Sequence, residues 1–530
     1  GSTLVSYLRG DRTNEKTYYR QRAHVLGDIV ASEARYVKAP LFNYVDAGYS
    51  DFKTLMKTRA GAVYVGSNDG MLHAFDATNG QELWAYIPRP VLPNMHALAD
   101  RNYANNHQFF VDNTPEVGEI SVPCTPVFPA TTCNPWKTIL VGGLNRGGNS
   151  YYALDITDPA SPKFLWEFTA STMGYSYGNP RITKLKDGTW VVMLTSGYNN
   201  ADDKGYLYVV NAQTGALIRT FTADPGTGKK GNLARISAHA KTADTNNTVT
   251  AVYGGDILGN LWRFDVNGDM GASGYDTQLL ISFQDASGNP QPITAKPTVA
   301  TVDGQTVVYV GTGKFLGVSD ISDPQFQSFY AVVDSGGSTT LTTPRTTGSG
   351  FVKQVLTDTT CPTTAPASVC AQGQVVRTST SNPVDWTSNK GWYMDFLGAG
   401  ERASTDPSLG LGTLLFTTSL PSLTPGSVCG DPSTSGAKSF LYSLNYKTGG
   451  AVTNASGVAG VSLGDGAVTR PVMILMADGT VRALTRVSNG LSSGDSNSTD
   501  QGQTVITTPP IDKGAGSGLR RVSWRELTMQ

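Results

Sequence analysis

Short runs of β-branched and aromatic residues alternate along the chain with Asp-Gly and Asn-Gly turns, a rhythm that predicts strands joined by tight hairpins. Ala62-Val63-Tyr64-Val65-Gly66 leads into Ser67-Asn68-Asp69-Gly70. Met71 to Asp76 follows, then a turn over Ala77 to Gly80, then Glu82-Leu83-Trp84-Ala85-Tyr86. The order returns at Thr138 to Phe168, Val191 to Phe221, Ala251 to Asp265, Thr306 to Asp334 and Leu411 to Gly449, with a last copy at Arg470 to Leu484 centred on Asp478-Gly479. In some copies an Asp or Asn is followed four residues on by Gly, at Asp76/Gly80, Asn211/Gly215 and Asn445/Gly449. The side-chain oxygen of such a residue accepts the backbone N–H two positions on, and glycine supplies the positive φ that closes the turn.

No such unit can bury both faces of its strands alone, so repeated units must pack on one another. The pattern predicts an all-β fold, a modified seven-bladed β-propeller filling residues 1–530 as one domain, with blades near 61–88, 138–168, 191–221, 251–265, 306–334, 411–449 and 470–484. Spread over 530 residues this is roughly 75 per blade, against about 40–45 for compact propeller repeats, so long inserted loops must project. The expected inserts or tails are Met95 to Pro135, Gly336 to Asp385 and Ser488 to Gly518, and a short N-terminal helix is expected within Asn14 to Tyr36.

Composition narrows the function. Lys and Arg number 41 against 42 Asp and Glu, so no electrostatic bias favours nucleic acid or an anionic membrane. With 59 Gly and 28 Pro the chain is too rich in turn formers for a helical bundle, while 39% hydrophobic residues supply a large core. No apolar run approaches the roughly 18 residues of a membrane helix. Gly1-Ser2 reads as a cloning remnant, so the lack of a signal peptide carries no information about export. Two cysteine pairs, Cys124/Cys133 and Cys361/Cys370, each enclose eight residues of loop-like sequence and suit disulfides in an oxidising compartment; Cys429 is left over.

Several stretches resemble the C-terminal domain of the PilC/PilY family of type IV pilus biogenesis factors and tip adhesins. They are Tyr7 to Arg12 with Val25 to Val30, Phe110-Val111-Asp112 with Thr114-Pro115, and Val141 to Leu144. Further on come Gly254-Gly255-Asp256 with Gly259 to Asp265, Gly311 to Gly317, Gly400-Glu401-Arg402 and Ser523 to Glu526. The resemblance implies a domain exported through the periplasm to the outer-membrane surface or pilus tip, preceded in relatives by an adhesive N-terminal region. It implies a non-enzymatic, monomeric module working with minor pilins and the pilus tip complex. The implied roles are pilus assembly, retraction control (twitching motility) and adhesion to a host or abiotic surface.

The same resemblance implies a calcium loop just before the Gly-Asp of the Gly-Asn-Leu-Trp repeat, where the family pattern is D-x-[DN]-x-D-x-x-x-D. Here Asp244 and Asn246 match, while the third and last carboxylates are missing. A second candidate calcium loop, Asp265-Val266-Asn267-Gly268-Asp269, places oxygen ligands at alternate positions, although Asp265 occupies a repeat position where capping a turn explains it equally. Asp202-Asp203 reads as a solvated hairpin tip. Arg9-Gly10-Asp11 reads as structural, with Arg12 pairing to Asp11. Gly460 to Gly464 has nucleophile-elbow spacing without the strand-then-helix context, and Gly226 to Lys229 is half a phosphate loop followed by Lys230 in place of Ser or Thr. The five histidines are scattered. The rival class is a quinoprotein (pyrroloquinoline quinone-dependent) dehydrogenase, because Ala77-Thr78-Asn79-Gly80 to Trp84 and Ala212 to Gly215 resemble the tryptophan-docking repeats of those propellers.

Overall fold

Turn chemistry sets the hairpins. At Ser67-Asn68-Asp69-Gly70, Gly70 adopts φ +94° and the flanking strands pair in register from Ser67↔Met71 outward. The computed structural model describes residues 1–123, 133–270, 274–421, 438–476, 480–488 and 503–511, which fall into two compact units, Gly1–Thr250 and Ala251–Gln530.

The first unit begins with helix α1 (Ser2–Leu8) and strand β1 (Arg35–Val37), then helix α2 (Tyr49–Leu55). Strand β1 joins β2 (Ala62–Ser67), β3 (Met71–Asp76) and β4 (Glu82–Tyr86) in a four-stranded antiparallel sheet. A second such sheet holds β5 (Glu116–Ser121), β6 (Trp136–Gly143), β7 (Tyr151–Asp155) and β8 (Lys163–Phe168). The third holds β9 (Arg181–Lys184), β10 (Trp190–Thr195), β11 (Gly205–Asn211) and β12 (Leu217–Ala223), and β13 (Ile236–His239) follows. Every residue of β7 and β10 is buried, whereas the outer strand β12 exposes its first four residues. Burial on both faces requires covering layers on both sides, the condition that repeated sheets meet. Trp136, Tyr151, Trp190 and Tyr208 lie in one core of this unit.

The second unit opens with β14 (Ala251–Gly255), β15 (Asn260–Phe264) and β16 (Thr277–Ser282), paired antiparallel. Strands β17 (Thr298–Val302), β18 (Gln305–Gly311), β19 (Ser328–Asp334) and β20 (Phe351–Gln354) come next, followed by β21 (Leu356–Thr360), β22 (Val375–Ser379) and β23 (Gly391–Asp395). One sheet runs β17-β18-β19-β23-β20, in which β20 pairs parallel with β23. The last strands are β24 (Ser408–Gly410), β25 (Thr413–Leu420), β26 (Lys438–Asn445), β27 (Val458–Asp465), β28 (Val472–Leu475), β29 (Val481–Val487) and β30 (Gln503–Thr507). They complete a six-stranded sheet, β21-β22-β27-β26-β25-β24, and a three-stranded one, β28-β29-β30. Trp392, Phe329, Phe416 and Tyr442 lie in one of this unit's cores.

The recurrent Asx/Gly turns take the form expected of them. Gly80, Gly215 and Gly449 have φ of +74°, +70° and +73°, and each donates its N–H to the Asx carbonyl at 2.8–2.9 Å. The Asx side chain accepts the N–H two residues on in all of them. Tryptophans dock on such turns. Trp166 Nε1 donates to Ala212 O at 3.0 Å with its ring over Gly215, and Trp392 Nε1 donates to Tyr446 O at 3.2 Å with its ring over Gly449.

Some expectations need correction. Asn14 to Tyr36 contains no helix; the N-terminal helix is α1. The apolar positions of the segment, Val25, Leu26, Ile29 and Val30, stay 40–61% exposed. Its backbone is held extended by side-chain acceptors, with Gly27 N donating to Asp69 Oδ2, Ala31 N to Asp112 Oδ1 and Glu33 N to Thr114 Oγ1 at 2.9–3.0 Å. Those bonds replace the local i to i−4 bonds a helix would need. The expected inserts also contain strands: β5 lies within 95–135, and β20, β21 and β22 within 336–385. Of these, β20 and β22 pair with β23 and β27, strands that come well after them in the chain, which no local pattern reports.

Candidate functional site

Among the described residues, several of the stretches that resembled pilus factors prove to be joints. Asp112 to Thr114 clasps residues 31–33, Asp69 holds Gly27, and Asn68 Nδ2 donates to Asp28 Oδ2 at 2.9 Å. In Gly254-Gly255-Asp256, the Asp256 carboxylate accepts Leu258 N, Asn260 N, Asn260 Nδ2 and Trp262 Nε1 at 2.8–2.9 Å, and so organises its own hairpin. Burial pushes that carboxyl up while the four donors oppose the shift. Asp285 repeats the device with Ser287 and Asn289.

Gly400-Glu401-Arg402 makes the most consequential joint. Glu401 is buried, accepting Arg377 Nη1 at 2.5 Å, Thr418 Oγ1 at 2.6 Å and Gly398 N at 3.2 Å. Arg402, also buried, sends its guanidinium to four carbonyls: Gly400 at 2.8 Å, Lys314 at 2.9 Å, Asp320 at 2.6 Å and Asp323 at 3.0 Å. Asp320 adds a second brace: its Oδ2 accepts Leu316 N and Gly317 N, and its Oδ1 lies 3.0 Å from Lys314 Nζ. Burial alone would raise the Asp320 carboxyl, but these donors hold it below the ordinary range. The loop so clamped presents Phe315, Leu316, Val318 and Phe326 with 43–84% of their surface exposed. Large apolar side chains held outward on a fixed backbone bind a complementary surface at little ordering cost. The sequence signal for it was present, since Gly311 to Gly317 places Phe and Leu inside a glycine-rich loop, but only the fold shows that they face solvent.

The two candidate calcium loops lie in different units. In the first, Thr245 N and Asn246 N donate to Thr242 O, and the carbonyls of Asp244 and Thr245 accept Asn43 N and Val45 N at 2.8 and 2.9 Å. Asn246 Oδ1 accepts the Thr248 hydroxyl at 2.7 Å, and the Asp244 side chain is exposed. In the second, Asp265 is buried and both its oxygens accept turn N–H groups: Asp269 at 3.0 Å, Met270 at 2.7 Å and Tyr275 at 3.2 Å. Asn267 is half-buried and Asp269 exposed. Among the described residues no three His, Cys, Asp or Glu side chains converge as metal ligands. In the first loop Asp244 is an exposed carboxylate, and in the second the Asp265 carboxylate is engaged by three backbone N–H groups.

Other sequence candidates are plain structure. Ser462 sits inside β27, and Lys229 N closes a turn on Gly226 O. Asp203 pairs with Lys230 at the hairpin tip. Arg12 pairs with Glu15 rather than Asp11, whose carboxylate instead accepts both donors of Thr13. Cys361 and Cys370 form a disulfide. Cys133 is disulfide-bonded, while Cys124 and Cys429 lie outside the described residues, as do Asp478-Gly479 and Ser523 to Glu526.

The family model for the PilY1 β-propeller domain matches residues 26–367, well over half of the chain. The chain belongs to the PilY1 β-propeller family. It is 34% identical to the type IV pilus biogenesis factor PilY1 of Pseudomonas aeruginosa (strain PAK) over 499 residues, 85% of this chain and 41% of that protein. It is 31% identical to a PilY1 homologue of Xylella fastidiosa over 99% of this chain and 41% of that one. The chain thus spans about two fifths of the length of these curated relatives. The crystal structure of the P. aeruginosa PilY1 C-terminal domain matches with TM-score 0.66 at 26% identity, covering 90% of this chain and 99% of that one. The fold class is accordingly a seven-bladed β-propeller.

Proposed function

We propose that this chain is the non-enzymatic binding module of a type IV pilus biogenesis factor, which supports pilus assembly and retraction and contributes to surface attachment. The observation that carries this reading is the Arg402-clamped loop. A family domain spends a buried cation on four carbonyls in order to hold Phe315, Leu316, Val318 and Phe326 outward. Minor pilins at the pilus tip are the partner proposed for that loop, with the chain as a monomer exported through the periplasm to the outer surface or pilus tip. The disulfide Cys361–Cys370 suits an oxidising compartment, and no described helix is long and apolar enough to cross a membrane.

Calcium is left out of this mechanism, because the donors at Asp244 and Asp265 fall short of a cage. Calorimetry on chelator-stripped protein is expected to show no micromolar calcium binding; binding abolished by Asp244→Ala would put calcium back at that loop. The dehydrogenase alternative has its own test, since a bound chromophore and dye reduction with pyrroloquinoline quinone and calcium would replace the binding reading. The direct test of the proposal is a pull-down of minor pilins by the full-length protein, expected to fail with Phe315→Ser/Val318→Ser. Retention at the wild-type level would refute it.

A further inference from the structure

Asn113 lies buried where three turns of the first unit meet. Its Nδ2 donates to Asn145 Oδ1 at 2.8 Å and to the carbonyls of Ser176 and Gly178 at 2.8 and 3.2 Å. Asn145, at φ +49°, returns a bond from its own Nδ2 to Asp112 O at 2.8 Å. The Ser176 hydroxyl accepts Leu144 N at 2.8 Å and donates to Gly148 O at 3.1 Å. A Cβ on Gly147 would fall 1.8 Å from the Phe110 carbonyl oxygen, so the turn 144–148 is pressed onto the backbone of that segment. Backbone and side chains together hold the turn in one conformation.

The residue this frame presents to solvent is Arg146. Its guanidinium carbon stands 5.4 Å from the centre of the Phe109 ring, and no ion pair neutralises it among the described residues. Burial pushes the Tyr177 hydroxyl above its usual range, and the Arg146 charge offsets part of that shift. Tyr177 packs on Tyr198 at 5.3 Å, Phe109 meets His107 edge-on at 5.1 Å, and Tyr175 is 39% exposed. The result is one exposed cation beside the Phe109 ring, without an ion-pair partner among the described residues, on a rigid backbone.

The chemistry of an occupant follows from what is left to bind it. The Asn113 amide nitrogen, Asn145 and Ser176 are engaged internally, and Asn113 itself is buried, so a sugar would find few partners for its hydroxyls. A polyanion would meet a single cation at this turn, too few for its several charges. A guanidinium beside an aromatic face matches a carboxylate next to an aromatic or apolar side chain, the combination that anchors protein interfaces. We infer that Arg146, with Phe109 and Tyr177, is the docking site for an acidic, aromatic-containing segment of a partner protein. This goes beyond the pilus reading and uses a different surface from the Arg402-clamped loop.

The test uses the whole chain and a displayed library of random peptides. Peptides selected on the wild type are expected to share Asp or Glu beside an aromatic or apolar residue. They should lose about tenfold in affinity on Arg146→Gln, less on Arg146→Lys, and nothing on Lys229→Gln at an exposed turn. Unchanged melting of Arg146→Gln, an exposed substitution, shows that the fold is intact. Four results would overturn the inference: no enrichment, peptides lacking a carboxylate, equal affinity for Arg146→Gln, or Arg146-dependent binding of phosphatidylglycerol vesicles or N-acetylneuraminic acid in place of peptides. Minor-pilin capture is read separately. If it fails while peptide binding persists, the pilus reading falls and this one stands.

Discussion

Gly80, Gly215 and Gly449 close the same turn at nearly the same positive φ, yet they meet different surroundings. A Cβ on Gly80 meets nothing within 4 Å, whereas on Gly215 it would fall 2.7 Å from the Trp166 ring and on Gly449 2.5 Å from that of Trp392. Alanine at any of them carries the left-handed backbone penalty, about 1–2 kcal/mol. At Gly215 and Gly449 the overpacking of a buried ring adds about 1–3 kcal/mol. Gly80→Ala should therefore cost about 1–2 kcal/mol and Gly215→Ala about 2–5 kcal/mol. Both lie in the first unit and report on one unfolding transition, so denaturant midpoints compare them directly. In a Trp166→Ala background the cost of Gly215→Ala should drop to the Gly80 value, because only the backbone penalty remains. Equal destabilisation by Gly80→Ala and Gly215→Ala, or a Gly215→Ala cost indifferent to Trp166, would refute tryptophan docking as the reason these turns need glycine.

Arg402→Met strands several buried carbonyls at about 1–3 kcal/mol each, and limited proteolysis should reveal new cleavage between Lys314 and Asp323; an unchanged digest would show that the loop does not depend on the clamp. Cys361→Ser/Cys370→Ser opens a short covalent loop and should lower stability by about 2–3 kcal/mol, read as a lower midpoint for the second unit. At Asp395 burial works to raise the carboxyl, but Arg345 at 2.5 and 3.0 Å, Lys353 and Ser328 outweigh it and hold the group down at about 2. Its folded value is depressed, so its contribution is full above the unfolded carboxylate value of about 3.9 and is lost as pH falls toward about 2. Asp395→Asn should flatten the loss of stability across that window, and a profile parallel to wild type would contradict the pairing.

The hairpin cores were legible because their signals are local: β2 to β4, β6 to β8 and β10 to β12 overlap, to within two residues at either end, the repeats marked by Asx/Gly turns and β-branched runs. The first strand of each of these sheets was not. Strands β1, β5 and β9 are short or lie in polar sequence, and pairing to the next strand along the chain defines them. Val25 to Val30 failed for the opposite reason. An apolar pattern suggested a helix, while acceptors from Asp69, Asp112 and Thr114 hold the backbone extended. Glu401 and Arg402 were visible only as resemblance, since a buried cation facing four carbonyls is a property of the assembled loops and has no periodicity. The Asp265 turn shows the limit of motif reading: oxygen ligands at calcium-like spacing, with the carboxylate spent on three N–H groups.

The most direct measurement is pilus number and minor-pilin capture in cells whose only copy of the full-length protein carries Phe315→Ser/Val318→Ser. The account predicts a folded, exported protein with wild-type melting, few surface pili and no captured minor pilin. Normal piliation with normal capture would contradict it.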